Sequence, residues 1–197
     1  KPQAPKPYAR IPFPDSYRIG DTYSMLVYDI KPDEFEYAFS FDGPYEPAKG
    51  LLFNEENVLL DPYSRAVTGQ RKWGEKPEGG KDFEYRARVV KSSFDWGNIK
   101  QLEQPFEDLV IYETHVRGYT KDKSSGVSAP GTFAGLKDKI PYLKDLGINA
   151  VELMPIFEFD EMESARVVDG VQLYNYWGYN TVSFFAPNTS YAFNEEH

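Results

Sequence analysis

The sequence has no cysteine and only two histidines among its 197 residues. The absence of cysteine excludes disulfides, thiolate metal sites and a cysteine nucleophile. His115 and His197 are too few and too far apart along the chain for a histidine metal centre, so we expect no metal. A chain without cysteine is compatible with a reducing compartment, and we expect a cytoplasmic protein.

Positive charge and long apolar runs are also scarce. The chain has 22 basic and 31 acidic side chains, which gives a net charge of −9. Such a chain lacks the basic stripe that binds nucleic acid or an anionic membrane surface. No apolar run approaches the roughly 20 residues of a membrane span, and no signal peptide is visible. We therefore expect neither a nucleic-acid partner nor a membrane partner.

Aromatic residues, in contrast, are abundant and make up 16% of the chain. They are densest in the stretch "YNYWGYNTVSFFAPN", residues 174–188, which begins with Tyr174, Tyr176, Trp177 and Tyr179. Flat aromatic faces either fill a core or bind the apolar face of a ligand. Composition alone favours core packing and leaves both interpretations open.

The pattern of residues in the first half predicts a small all-β unit. Five prolines in residues 1–14 indicate an extended lead-in. We predict strands over 22–30, with bulky side chains on both faces, over 35–41, where alternation predicts one buried face, and over 81–90. No amphipathic helix is evident before residue 100, so the unit is predicted to consist of sheet.

The second half predicts a βαβ unit. Residues 108–116 and 148–155 have the composition of strands, and the second is a continuous apolar run typical of a parallel strand buried on both faces. The segment between them has helical spacing, with Thr132 as the predicted N-cap and Gly147 as the predicted stop. Pro141 is predicted to kink this helix or split it in two.

Three motifs together give the sequence a specific resemblance. They are "YETHVRGYT" (112–120), "GTFAGLKDKIPYLKDLGINAVELMP" (131–155) and "YWGYNTVSFFAP" (176–187). In this order they resemble the first two barrel strands of the α-amylase superfamily, glycoside hydrolase family 13, in its isoamylase and bacterial glycogen-debranching branch. Residues 37–67 resemble the later part of a family-48 carbohydrate-binding module.

The resemblance implies a fold with β and α/β domains. Residues 1–16 would be an extended proline-rich lead-in. Residues 17–104 would form a β-sandwich carbohydrate-binding module, truncated at its N-terminus. Residues 105–197 would begin a (β/α)8 TIM barrel that is incomplete in this chain, because such a barrel needs roughly 250 residues.

The same resemblance implies an α-glucan debranching enzyme that hydrolyses α-1,6 branch points of glycogen or a related glucan with retention. The family's catalytic acids follow later strands, so no catalytic residue is carried over and the chain alone is expected to be inactive. Tyr179 is implied to stack on a sugar ring beside the scissile bond, with Trp177 and Tyr176 as further candidates in the same cleft. No cofactor is implied.

Two alternatives to debranching remain open. The parent protein would then be a glucan branching enzyme, or the chain would be a non-catalytic glucan-binding fragment. The implied partners are an α-glucan substrate and the remainder of the barrel, either in the same chain or as a complementary fragment, because an incomplete barrel exposes strand edges.

Other polar and aromatic residues receive structural interpretations. The acids of the predicted strands, Glu113 and Glu152, are expected to pair with Arg117 or His115 inside the barrel. His115 is expected to be hydrogen-bonded. A solvated run is predicted for the acids after the second strand, which are Glu158, Asp160, Glu161 and Glu163. Two tryptophans are candidates for glucan binding or for packing, with packing favoured: Trp73 and Trp96.

Overall fold

A computed structural model describes residues 6–68, 72–75 and 85–193, which are mostly β with few helices. The strands are β1 Arg18–Ile19, β2 Thr22–Tyr23, β3 Glu36–Tyr37, β4 Tyr45–Glu46, β5 Leu51–Leu52, β6 Ala66–Thr68, β7 Arg86–Arg88, β8 Ile111–Thr114, β9 Ala150–Leu153, β10 Phe157–Phe159, β11 Arg166–Val168, β12 Val171–Leu173 and β13 Thr181–Pro187. The α-helices are α1 Val116–Lys121, α2 Phe133–Asp138 and α3 Ile140–Asp145. The domain boundaries given above stay a prediction.

The first half contains a three-stranded antiparallel sheet in the order β3-β7-β6. The predicted strand over 35–41 contributes β3 and an isolated bridge between Phe39 and Leu59. The rings of Tyr37 and Phe39 meet edge to face at 5.8 Å, as alternate residues on one face of a strand do. Within the predicted strand 81–90 the structure has β7, and residues 81–84 lie outside the described residues.

The predicted strand over 22–30 is wrong for most of its length. Only Thr22 and Tyr23 are in a strand, and Leu26 and Tyr28 are 79% and 77% exposed. Asp29 has a φ of 58°, which breaks an extended backbone. Bulky side chains alone do not make a strand when no neighbouring chain pairs with the segment.

The predicted βαβ unit is confirmed. Strands β8 and β9 are parallel, with Glu113 opposite Glu152, and the helices lie between them in sequence. The side chain of Thr132 accepts a hydrogen bond from the Gly135 N–H at 3.2 Å, which caps α2 as predicted. Gly147 follows α3 with a φ of +89°, the left-handed conformation of a helix stop.

The predicted split at Pro141 is also confirmed. Helix α2 ends at Asp138, and α3 begins at Ile140 with the proline in its first turn. Proline is tolerated there because the first N–H groups of a helix have no acceptor within it. One continuous helical pattern in the sequence therefore forms two short helices.

The predicted burial of β9 on both faces is wrong in this chain. Val151 of β9 is 43% exposed and Ile111 of β8 is 52% exposed. Among the described strands, β8 and β9 pair only with each other, so apolar side chains on this small sheet remain accessible. The apolar run identified the strand correctly, but burial depends on elements that pack against it.

The core lies where the two halves meet. Val116, Phe159 and Tyr191 form its centre, and Trp73 packs against them, stacked on Tyr191 at 6.0 Å. The guanidinium carbon of Arg117 lies 4.6 Å from the centre of the Trp73 ring. The packing interpretation of Trp73 is therefore confirmed, since this ring joins the first half to the second.

Candidate functional site

A cleft lies at the carboxyl ends of the two parallel strands. It has a volume of ≈ 540 Å³, and we call it the strand-end cleft. Its walls are formed by Tyr112, Glu113, Thr114, His115, Gly118, Tyr119, Met154, Trp177 and Tyr179. Ligands of parallel α/β sheets bind outside the carboxyl ends of the strands, so this is the expected position for a site.

Two of the three predicted binding residues border this cleft as exposed rings. Trp177 is 64% exposed and Tyr179 is 66% exposed, and their ring centres are 6.4 Å apart at an interplanar angle of 76°. We call these two side chains the aromatic ridge. Exposed rings of this size are accessible to a ligand, whereas core rings are not.

Gly178 fixes the aromatic ridge to the core. It is buried, has a φ of +80°, and packs directly against the ring of Phe159, which is fully buried. Its N–H donates to the side-chain oxygen of Asn175 at 3.3 Å. Because the backbone is anchored here, the two flanking rings point away from the core.

Tyr176, the third predicted binding residue, has a different environment. Its ring stacks on His115 with 4.2 Å between centres and an angle of 8°, and its edge meets Trp73 at 5.9 Å. Its hydroxyl lies against Gly118, where an added Cβ would clash with it. One face of Tyr176 is thus occupied, although the residue remains 42% exposed.

The predicted hydrogen bonding of His115 is confirmed. Its Nδ1 accepts from the Gly118 N–H at 3.0 Å, so the neutral ring carries its proton on Nε2 and donates it to the Tyr176 carbonyl at 2.8 Å. Burial lowers the pKa of His115, the hydrogen bond to Tyr176 opposes this, and Arg117 lowers it further. The neutral ring holds the start of the 176–179 segment in place.

The predicted pairing of the strand acids is wrong. Glu113 and Glu152 are both exposed, and neither forms an ion pair with Arg117 or His115 among the described residues. A solvated carboxylate on a small, open sheet needs no buried partner. Glu113 borders the strand-end cleft but has no carboxylate neighbour there.

The predicted solvated run of acids is wrong for two of its four members. Glu158 is 1% exposed and Glu161 is 0% exposed. Glu163 is exposed and bonds to Asn180, and Asp160 is half-buried and accepts from the Met162 N–H at 2.8 Å. Residues 157–159 form β10, so part of the predicted loop is in fact a strand paired with β13.

Glu158 joins β10 to the segment that follows β13. Its Oε2 accepts from the backbone N–H and the hydroxyl of Thr189, while its Oε1 is buried without a hydrogen-bond partner in the described part of the chain. Burial raises the pKa of Glu158 to about 7, against the lowering effect of Thr189. The neighbouring acids Glu161 and Asp160 raise this pKa further.

Glu161 joins the second half to the first. Its Oε1 accepts from the Gly74 N–H at 2.9 Å, and its Oε2 is buried without a hydrogen-bond partner in the described ranges. Burial raises the pKa of Glu161, and the Gly74 bond opposes that rise. Glu158 and Glu161 do not line the strand-end cleft, and their hydrogen bonds link separate segments of the chain, a structural role that sequence reasoning missed.

A second cleft of ≈ 790 Å³, which we call the hairpin cleft, adjoins the aromatic ridge. One of its walls is the β11–β12 hairpin. Its lining residues are Glu163, Ser164, Arg166, Gln172, Leu173, Tyr174, Asn175, Tyr176, Trp177, Tyr179 and Asn180. All three predicted binding residues therefore contact this space, and Tyr174 contributes its half-buried ring.

Residues 6–68, 72–75 and 85–193 contain neither a candidate metal site nor a candidate membrane span. No group of three or more His, Cys, Asp or Glu side chains in these ranges converges as metal ligands would. No helix there is both long enough and apolar enough to cross a membrane.

Comparison with known proteins finds relatives of this sequence. No protein-family model matches the chain. The chain is 40% identical over 185 residues to isoamylase 1, chloroplastic, of Arabidopsis thaliana, and 36% identical over 202 residues to a glycogen debranching enzyme of Yersinia enterocolitica. The chain is similar in sequence to isoamylases and to glycogen debranching enzymes. The matches cover 91% and 95% of this chain but only 23% and 29% of the two relatives, so the chain spans about a quarter of their length.

Solved structures agree with this relationship. The chain matches the type I pullulanase of Bacillus subtilis, solved with maltose, with a TM-score of 0.52 and 27% identity over 74% of the chain and 20% of that structure. It matches the Group B Streptococcus pullulanase with a TM-score of 0.52 and 26% identity over 71% of the chain and 19% of that structure. The relatives share its mainly β architecture over this region.

Proposed function

We propose that this chain is the N-terminal part of a glycoside hydrolase that removes α-1,6 branches from glycogen or a related α-glucan. The sequence relatives with these names support the reaction class. The observation that carries the proposal is the aromatic ridge, two exposed rings beside a cleft at the carboxyl ends of parallel strands. Active sites of (β/α)8 barrels lie at that end of the strands.

The proposed architecture is a β-sandwich carbohydrate-binding module over residues 17–104, followed by the first strands of a (β/α)8 barrel over 105–197. Support comes from the antiparallel β3-β7-β6 sheet in the first part and the parallel β8–β9 pair with intervening helices in the second. The accessible apolar side chains of β8 and β9 fit a sheet that continues in the remaining barrel.

In this proposal Tyr179 stacks against a sugar ring beside the scissile bond. Sugar rings have apolar C–H faces that lie well on aromatic rings, and the tyrosine hydroxyl adds a hydrogen bond. Trp177 forms the adjoining wall at a steep angle to Tyr179. Tyr176 acts mainly by positioning, because His115 occupies one face of its ring.

A retaining glycosidase uses a nucleophilic carboxylate and an acid/base carboxyl about 5–5.5 Å apart. We assign neither role to the described residues, because the buried Glu158 and Glu161 line neither of the two clefts and the strand acids Glu113 and Glu152 are exposed. The chain instead supplies binding and orientation of the sugar. Orientation of this kind lowers the barrier by placing the reacting bond against groups from the remaining barrel.

We expect Tyr179→Ala to weaken binding of maltoheptaose to the full-length protein about tenfold, which is about 1.4 kcal/mol. The reason is the loss of an exposed ring that contacts both clefts. Isothermal titration calorimetry measures this dissociation constant. The control is Tyr142→Ala, which removes a tyrosine of similar exposure on α3 that borders neither cleft. If the two substitutions change the dissociation constant for maltoheptaose equally, Tyr179 does not belong to the binding site.

We expect the full-length protein to release reducing ends from glycogen and the isolated 197-residue chain to release none. Hydrolysis creates a reducing end at each cleaved branch, whereas transfer by a branching enzyme does not raise their number. A reducing-sugar assay on glycogen therefore separates debranching from branching. Turnover by the isolated chain, free of any other polypeptide, would overturn the assignment of the catalytic acids to another part of the enzyme. A cytoplasmic location stays a prediction.

A further inference from the structure

The hairpin cleft is separated from the strand-end cleft by the aromatic ridge. Trp177 and Tyr179 border both spaces, and the two clefts share no other lining residue. The volume of the hairpin cleft, ≈ 790 Å³, lies within the range of about 300–1,000 Å³ typical of ligand sites. One pair of exposed rings thus presents surface to two separate spaces.

The outer wall of the hairpin cleft is preformed. Strands β11 and β12 pair through Arg166 with Leu173 and through Val168 with Val171. The Gln172 amide donates to the carbonyl oxygens of Arg166 and Leu173 at 3.2 and 3.0 Å. A wall that is ordered before binding costs little conformational entropy when a ligand enters.

The lining of this cleft combines rings with hydrogen-bonding groups. Arg166, Gln172 and Asn180 contribute polar side chains, and Tyr176 and Trp177 contribute exposed rings. Arg166 has no ion pair among the described residues, so its guanidinium is available to donate to a ligand. Rings interleaved with donors and acceptors match a polyhydroxylated sugar chain better than an apolar peptide.

We propose that the hairpin cleft binds a second α-glucan chain, so that the two chains of a branched glucan lie on either side of the aromatic ridge. This inference rests on the proposed function, since it takes the first chain to occupy the strand-end cleft. It makes the β11–β12 hairpin a determinant of specificity for branched over linear glucans. Arg166 and Leu173 are the hairpin residues that recognise the second chain.

The test compares two ligands on the full-length protein. Maltoheptaose is a linear chain, and the second probe joins two maltotetraosyl chains through a sulfur-linked, non-hydrolysable α-1,6 branch point. We expect the wild-type protein to bind the branched probe about tenfold more tightly by calorimetry, which is about 1.4 kcal/mol. The double substitution Arg166→Ala/Leu173→Ala is expected to bring this ratio close to one by weakening the binding of the branched probe much more than the binding of maltoheptaose.

The matched control is Val168→Ala/Val171→Ala, a neighbouring cross-strand pair of the same hairpin that does not border the cleft. It is expected to retain the wild-type ratio. Should the first double variant unfold more easily than this control, Arg166→Ala alone removes one exposed side chain and is expected to lower the ratio about threefold, about 0.65 kcal/mol.

The possible results distinguish a failure of the second-chain site from a failure of the proposed debranching function. The second-chain site is overturned if the Arg166 and Leu173 variants still bind maltoheptaose and keep the wild-type ratio of branched to linear affinity. The proposed function is not affected by that result. An equal loss of both ligands in those variants also overturns it, because the hairpin would then serve the first site. Failure of the wild-type protein to bind either probe overturns the proposed function itself.

Discussion

Gly178→Ala is expected to destabilise the protein by about 3 kcal/mol or more. An added Cβ would lie 2.5 Å from Cδ1 of Phe159 and closer still to Cε1. Phe159 is fully buried and cannot move aside without disturbing Tyr191 and Trp73. Overpacking of a core costs about 1–3 kcal/mol, and the φ of +80° adds about 1–2 kcal/mol for a residue with a side chain. Chemical denaturation measures the free energy of unfolding.

Gly170→Ala is the matched control for this prediction. Gly170 has nearly the same φ, +78°, at the turn between β11 and β12, but nothing lies within 4 Å of an added Cβ. The free energy of unfolding of Gly170→Ala is therefore expected to be lower than that of wild type by about 1–2 kcal/mol, from backbone conformation alone. The difference between the two variants measures the clash with Phe159. If both lose the same free energy, the aromatic ridge is not anchored through this contact.

Glu158→Gln is expected to remove most of a pH dependence of stability between pH 4.5 and 7. Burial raises the pKa of Glu158 from its ordinary value of 4.5 to about 7, so in this range the folded state binds a proton that the unfolded state has released. Folding stability therefore falls as the pH rises. At about 1.4 kcal/mol per pKa unit, the loss reaches about 3 kcal/mol by pH 7.

The variant is designed to keep the contacts of Glu158. A glutamine has nearly the same shape, and its amide oxygen can accept from the Thr189 N–H as the carboxylate does. The free energy of unfolding, measured by urea titration at several pH values, is expected to be about 3 kcal/mol higher than wild type at pH 8 and similar at pH 4.

Glu163→Gln is the control for Glu158→Gln. Glu163 lies five residues later in the same run of acids and is exposed. Its substitution is expected to leave the pH profile of stability unchanged. If the unfolding free energies of wild type and Glu158→Gln change with pH in the same way, burial does not raise the pKa of Glu158. Burial also raises the pKa of Glu161, so this acid is expected to contribute a further fall in stability with rising pH that Glu158→Gln leaves in place.

Local signals predicted the βαβ unit well. Thr132, Pro141 and Gly147 each act through backbone groups within a few residues, and each is found in its predicted role. Helix caps, proline breaks and glycine stops depend on neighbours along the chain, so sequence is sufficient to place them. The same holds for the parallel strands, whose apolar runs flank the helices.

The two buried acids could not be predicted in this way. The segment "FEFDEMES", residues 157–164, has four acids in eight residues, a composition typical of a solvated loop. The buried Glu158 accepts a hydrogen bond from Thr189 and the buried Glu161 accepts one from Gly74, and these partners are 31 and 87 residues away along the chain. No pattern within the segment encodes such distant contacts.

The tertiary structure also decided which rings of the aromatic stretch are packed against other residues and which are exposed. Tyr176, Trp177 and Tyr179 belong to one short run, but Tyr176 stacks on His115 while the other two are exposed. The sequence by itself determined the βαβ unit, the start of α2, the break before α3 and the stop after it, and, through its motifs, the similarity to isoamylases and glycogen debranching enzymes. The tertiary structure decided which rings and carboxyls are buried, because burial is set by long-range packing, which the residues next to them in the chain do not specify.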